Sequence, residues 1–309
     1  MSLKVLIFYL IVTTVLLAVH YYIFWRTAGA LSLSGWWFWA MGMLFLLGAV
    51  SFPLTEIYGF RLPAAQLLTT LSGLWMGAIF YAFLIVLIVD IFRLSNTLLG
   101  WFPPFITEYP SKAGLAVFLA AAAFISIMVI AGYRQAMYPT IQMTAHELDK
   151  LPAEVFDYRI AIISDIHLSP VMNEKWFTRQ VRLINALEPS LIIIAGDLMD
   201  KSSEQLQWAI TPLSELKAAD GIYAATGNHE FYHGVEGYVK LMGEAGIPVL
   251  RNEATLVADK FILGAVDDQT AVQMLGEEEV PIADILQGFD RSLPVVFINH
   301  TPIRRKEAV

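Results

Sequence analysis

Two hydrophobic patterns divide the chain. Over roughly the first 140 residues the apolar positions run together in long blocks with few charges; beyond them, short apolar runs alternate with segments that are apolar every third or fourth position. The long blocks fall near 5–25, 36–54, 67–92 and 113–133. At 1.5 Å of helical rise per residue, each is long enough to cross a hydrocarbon core of about 30 Å. A four-span membrane region over residues 1–138 is therefore predicted. A cleaved leader is the competing reading of the first block, but the apolar stretch is too long, and aromatic Tyr21, Tyr22, Phe24 and Trp25 stand where small cleavage-site residues belong.

Details within the blocks carry further expectations. Pro53, Glu56, Arg61 and Pro63 read as a polar connection between the second and third spans, and residues 94–111, with Trp101, Pro103, Pro104 and Pro110, as a proline-broken surface connection. Trp36, Trp37, Phe38 and Trp39 suit an interfacial belt. Gly73 and Gly77 form a small-residue face suited to close helix packing. Asp90, three residues before Arg93, reads as one partner of an interfacial ion pair and not as a proton path.

In the second half, strands are predicted at 160–163, 191–195, 222–226, 247–250, 261–266 and 293–299, and helices at 173–187, 202–218 and 235–245. Strand and helix alternate, so residues 139–309 are expected to form an α/β domain. The first three strands are continuous apolar runs of the kind buried on both faces of a sheet.

Charge sharpens the division. The first 140 residues hold six Lys and Arg against three Asp and Glu, leaving 14 against 25 for the remainder. A strongly acidic domain lacks the clustered cations of a nucleic-acid groove and suits a cation-loaded site. The absence of cysteine excludes disulfides and thiolate ligands. Mean hydropathy of +0.58 agrees with a multi-pass membrane protein. With four spans the amino terminus and the domain lie on one side. Lys4, Arg61 and Arg134 balance Arg26, Arg93 and Lys112, and Lys150 tilts the domain toward the cytoplasm.

The polar residues with chemistry stand where the apolar runs stop. Ile160–Ile163 leads into Ser164-Asp165-Ile166-His167; the second run leads into Gly196-Asp197-Leu198-Met199-Asp200; the third into Gly227-Asn228-His229-Glu230; and the last into Asn299-His300. In an extended chain residues two apart point the same way, so Asp165 and His167 can meet one ligand. Each residue has a plainer reading: Asp197 and Asp200 as helix caps, Asn228 as a turn residue, His300 as a hydrogen-bonded core histidine. Their repetition at four strand ends outweighs those readings. His20, His146 and His233 have no such company in the sequence.

The order D-x-H, G-D-x-x-D, G-N-H-E and N-H resembles the calcineurin-like metallophosphoesterases over about the second half of the chain. That resemblance implies an α/β sandwich behind the membrane helices and two divalent ions of the Mn, Fe, Zn or Mg class. It also implies hydrolysis of a phosphomonoester or phosphodiester by a metal-bridging hydroxide. Asp165 and His167 would hold the first ion, Asp197 would bridge both, and Asn228 and His300 would hold the second. His229 would contact the phosphate and protonate the leaving oxygen, with Asp200 and Glu230 orienting the ligands. The partner is then a phosphate-ester substrate, and the membrane address points to a lipid-linked one. The family's fifth motif, G-H-x-H, does not occur in the sequence, so a chain cut before that motif is expected. A catalytically inactive phosphate-binding or regulatory membrane module is the alternative.

Overall fold

Apolar sequence in a membrane folds as helix because only a helix satisfies every backbone donor and acceptor within its own segment. The computed structural model describes residues 3–58, 64–146, 158–290 and 292–301. It divides into two compact units, Met1–Ile141 and Gln142–Val309. In the first, α1 (Leu3–Ala30), α2 (Gly35–Tyr58), α3 (Ala65–Leu99), the short α4 (Pro104–Glu108) and α5 (Pro110–Met137) follow in order. Among the described residues, the four helices other than α4 are long and apolar enough to cross a membrane. At 35 residues, α3 is about 52 Å long, well beyond a hydrocarbon core of about 30 Å.

Three details of this unit differ from expectation. Pro53 does not end a helix but lies inside α2, where the Ser51 and Thr55 hydroxyls donate to the Gly48 and Phe52 carbonyls at 2.8 and 3.1 Å. Membrane helices tolerate proline in such settings. Residues 94–99 continue α3 instead of joining the proline-broken connection. Asp90 pairs across the bundle with Arg26 of α1, not with Arg93, and accepts a second hydrogen bond from Tyr22 at 2.7 Å. A partner on another helix buries the carboxylate between two elements, which a neighbour on its own helix cannot do. Arg61, Pro63 and Lys150 lie outside the described residues.

Close packing also falls on other glycines than expected. A Cβ at Gly73 would meet nothing within 4 Å, whereas one at Gly48 would stand 2.1 Å from Trp75 Nε1 and one at Gly114 2.6 Å from the Ala30 carbonyl. Trp75 is held in turn by donating to His20 Nε2 at 3.1 Å, and His20 Nδ1 reaches the Leu16 carbonyl at 2.8 Å. Thr55 and Ser72 bond across α2 and α3 at 2.8 Å.

The second unit is built on two three-stranded sheets. The first contains β1 (Ile160–Ile163), β2 (Leu191–Ile194) and β3 (Ile222–Ala224), all parallel and in that spatial order. The second contains β4 (Glu253–Val257), antiparallel to β5 (Phe261–Ala265), and β6 (Val295–Ile298), parallel to β5. Leu191 and Ile193 of β2 share a core with Val257, Phe261, Leu263, Ala265 and Ile298, so the sheets pack face to face as a sandwich. Helices α6 (Glu174–Asn185), α7 (Ile210–Ser214), α8 (Asn228–His233), α9 (Val235–Glu244), α10 (Thr270–Leu275) and α11 (Ile282–Ile285) complete the unit. Asn173 starts α6 by accepting from the Trp176 amide at 3.1 Å, which satisfies one of the free amides of the first turn.

Burial on both faces holds for β2, every residue of which is buried. It fails for β1, an edge strand in which Ile162 is 68% exposed. Residues 247–250 make only a single bridge, Val249 to Ala224, because Pro248 has no amide to continue a ladder. The helix expected at 202–218 is broken into two 3-10 turns and α7; Pro212 withholds one helical donor and sits in the first turn of a separate short helix. Strand β4 escaped the sequence reading because its turn back into β5 uses Ala258 and Asp259 at positive φ, 47° and 57°, where glycine would have marked it.

Candidate metal centre

Parallel pairing sends β1, β2 and β3 out of the sheet at one edge, and the loops that follow are tied together before any side chain is considered. The Ala195 amide donates to the Ile163 carbonyl at 2.7 Å, Asp165 to Gly196 at 3.2 Å, His167 to Asp197 at 3.1 Å and Leu168 to Leu198 at 2.8 Å. The first two motif loops therefore run side by side. Asp165, His167 and Asp197 adopt positive φ of 56°, 51° and 52°, a conformation costing about 1–2 kcal/mol for each side-chain-bearing residue. Asp165 and His167 are thus aimed by left-handed backbone and not by the extended geometry expected from their spacing. Such strain persists only where the surroundings impose it, and it concentrates at functional sites.

The surroundings here are close. A Cβ at Gly227 would fall 2.2 Å from Asp197 Oδ1, and one at Gly196, itself at φ +99°, would fall 2.6 Å from the Gly227 nitrogen and 2.8 Å from His300 Nδ1. The two motif glycines let three loops close on Asp197. Glu230, completely buried, fastens two of them: Oε2 accepts from the Asp197 and Gly227 amides, both at 2.8 Å, and Oε1 from the Met199 amide at 3.1 Å.

Asp197 is the meeting point. Its Oδ1 accepts from the His229 amide at 2.9 Å, and its Oδ2 lies 3.4 Å from His300 Nε2 and 3.7 Å from His167 Nε2. Among the described residues, three sets of side chains place their ligand atoms within 4.8 Å of one another: His167, Asp197 and His229; Asp165, Asp197 and His300; and Asp200, His229 and His233. His229 Nδ1 is buried without a hydrogen bond although Asp200 Oδ1 is 2.9 Å away; the atoms are near but not aligned for one. Carboxylate oxygens of Asp165 and Asp197 converging with imidazole nitrogens of His167 and His300 fit a divalent cation, for which oxygen and nitrogen donors of this kind are suited.

The charges are strongly coupled. Contact with the Asp197 carboxylate holds the His300 imidazole up at about 9. The Asp200 carboxylate likewise raises His167 above its ordinary value, against the opposing effect of burial. Burial by itself would raise Asp197, but the bonds from His300 and from the His229 amide outweigh it and hold the carboxyl low. Burial prevails at Glu230, whose carboxyl is pushed up despite its three amide donors.

The structure brings together Asp165, His167, Asp197, His229 and His300, and sets Asn228, half-buried, at the first position of α8 beside Gly227. The pairing differs from expectation: Asp165 groups with His300, and His167 with His229. Sequence reading left His233 outside the site, yet its Nε2 lies 3.9 Å from Asp200 Oδ1. The reason is α8, whose residues the sequence pattern leaves as a loop after the third strand; once residues 228–233 are helical, His229 and His233 are four apart on one face. That spacing was the available signal.

The sandwich, the four motif loops and the clustered histidines and carboxylates together form a candidate metal centre. Residues 158–307 match the calcineurin-like phosphoesterase family. The chain is 32% identical over 170 residues to a transmembrane protein with metallophosphoesterase domain from Danio rerio, covering 52% of this chain and 39% of the relative. It is 28% identical over 209 residues to a protein of the same description from Bos taurus, covering 64% and 47%. An uncharacterized metallophosphoesterase of Aquifex aeolicus is 27% identical over 187 residues, covering 60% and 71%. The chain thus spans less than half the length of the first two relatives. No solved structure matches.

Proposed function

We propose that this chain is a membrane-anchored phosphoesterase whose domain holds two divalent ions and hydrolyses a phosphomonoester or phosphodiester. The observation that carries this reading is that Asp197 belongs to two ligand groups at once, one with His167 and one with His300. A shared carboxylate is what two neighbouring cations require. Asp165 and His167 would supply ligands from the first loop, Asp165 grouped with His300 and His167 with His229, and Asn228 and His300 would serve one of the two ions. Divalent ions of the Mn, Fe, Zn or Mg class, when bound, neutralise the phosphate and acidify water toward neutral pH.

The remaining work falls to the chain's own side chains. His229, whose amide is fixed on Asp197, presents its ring to the substrate and gives a proton to the leaving oxygen. Asp200, 2.9 Å from His229 Nδ1, sets a carboxylate charge beside that ring, and Glu230 holds the second and third loops in register. The membrane helices favour a lipid-linked phosphate ester as substrate, and the balance of basic residues favours a cytoplasmic domain.

Metal content measured on the purified full chain, together with hydrolysis of an artificial phosphodiester, tests the reading. Two ions per chain and metal-dependent turnover are expected. One ion or none, with no turnover at saturating metal, would favour a binding module instead.

A further inference from the structure

We propose that Asp267 and Asp268 are positioning residues for the metal centre: through Thr226 and Thr301 they hold the loops that carry Asn228, His229 and His300. The proposal rests on the two-ion reading above. Strand β5 runs parallel to β6 and leaves the second sheet at the same edge, delivering two consecutive carboxylates beyond Val266. Neighbouring residues of an extended chain point opposite ways, so one pair can serve two loops. Thr226, fully buried, donates to Asp267 Oδ1 at 2.8 Å. Asp268, 5% exposed, accepts from the Thr301 hydroxyl on Oδ2 at 2.5 Å, while its Oδ1 takes the Thr270 amide at 2.9 Å and the Thr270 hydroxyl at 2.7 Å.

Each threonine is a near neighbour of a proposed ligand: Thr226 stands two residues before Asn228, and Thr301 directly follows His300. The third loop extends the first sheet and the fourth extends the second, so the paired aspartates set the span between ligands drawn from different sheets.

A role confined to fold stability is the plainer account, and the surroundings of Asp267 separate the two. Its carboxylate already receives Arg251 Nε and a second guanidinium nitrogen at 3.0 and 2.8 Å, and Asn252 Nδ2 at 3.2 Å. Removing the Thr226 hydroxyl therefore leaves the buried charge compensated and the fold supported. What is lost is the tether on the loop.

The test is Mn²⁺ titration of the full chain in detergent, with the thermal unfolding of the metal-free protein recorded alongside. Thr226→Val and Thr301→Val should each weaken one of the two ions, the one assigned to Asn228 and His300, by about ten- to a hundredfold, the usual cost of losing a group that orients a ligand. The other ion should keep its affinity, and Thr226→Ser and Thr301→Ser should restore wild-type binding. Two unchanged ions in both valine variants overturn the proposal. Equal weakening of both ions with a lowered unfolding temperature also overturns it, in favour of a purely structural role. If Thr226→Val does not fold, Thr301→Val carries the same test from the other carboxylate. A wild-type chain that takes up no Mn²⁺ overturns the two-ion reading and this proposal with it, whereas two wild-type ions with indifferent valine variants overturn only the tether.

Discussion

The membrane helices and the phosphoesterase domain use buried polar groups for different ends. In the helices, backbone bonding is met largely within each element, so the Trp75–His20, Thr55–Ser72 and Arg26–Asp90 contacts link one helix to the next. In the domain, the polar groups gather where strands end and the chain must find partners outside the ladder. Glu230 takes three backbone amides there, and Asp197 takes an amide with two imidazoles standing 3.4 and 3.7 Å from its other oxygen. Loss of a polar group should therefore disturb packing in the first region and chemistry in the second.

The largest expected effect is at the shared carboxylate. Asp197→Ala should abolish binding of both ions and bring hydrolysis to background, whereas Asp165→Ala should cost at most one ion. Metal analysis of the two proteins decides it; identical losses would remove Asp197 from its shared role.

Next in size is the division of labour between histidines. His229→Ala should keep both ions yet lower turnover by about a hundred- to ten-thousandfold on an alkyl ester, with a smaller defect on an aryl phosphate, whose leaving group hardly needs a proton. His300→Ala should lose an ion and affect both esters alike. Loss of metal from His229→Ala would instead make His229 a ligand, in keeping with its place in two of the three ligand groups.

A smaller, graded effect concerns pH. His300 must release its proton to ligate, and Asp197 holds that proton until about pH 9, so metal affinity should climb as pH rises from neutrality toward that value and then level off. The sign for the metal-free protein is opposite. A folded-state value above the unfolded one makes the protonated pair stabilising below about 6.5, and that contribution fades as pH passes through about 9. Calorimetric titrations at several pH values measure the first trend, and a pH-independent affinity between 7 and 9 would contradict it.

The smallest effect falls in the helices. Gly48→Ala puts a methyl group against Trp75 and should destabilise the bundle by about 1–3 kcal/mol, while Gly73→Ala, with open space around it, should stay within about 0.5 kcal/mol. Neither should alter metal affinity in the domain. Equal effects of the two substitutions on unfolding in detergent would show that the packing contrast between these glycines is not what holds the bundle.

Much of this molecule was legible before any fold was known. Continuous apolar length sufficed for four helices, because in lipid the helix is the one open way to satisfy a single segment's backbone. Motif order placed Asp165, His167, Asp197, Asn228, His229 and His300 at strand ends, because a buried run that stops at a polar residue must be leaving the core. Only the tertiary structure decided which of them meet. Asp90 finds Arg26, more than sixty residues away, instead of Arg93 on its own helix. His233 joins the site because α8 turns it there, and Asp267 and Asp268 reach Thr226 and Thr301 because parallel β5 and β6 end together. Periodicity along a chain reports burial and local conformation. Which carboxylate faces which imidazole depends on strand pairing and on left-handed backbone at Asp165, His167 and Asp197, neither of which leaves a periodic trace in sequence.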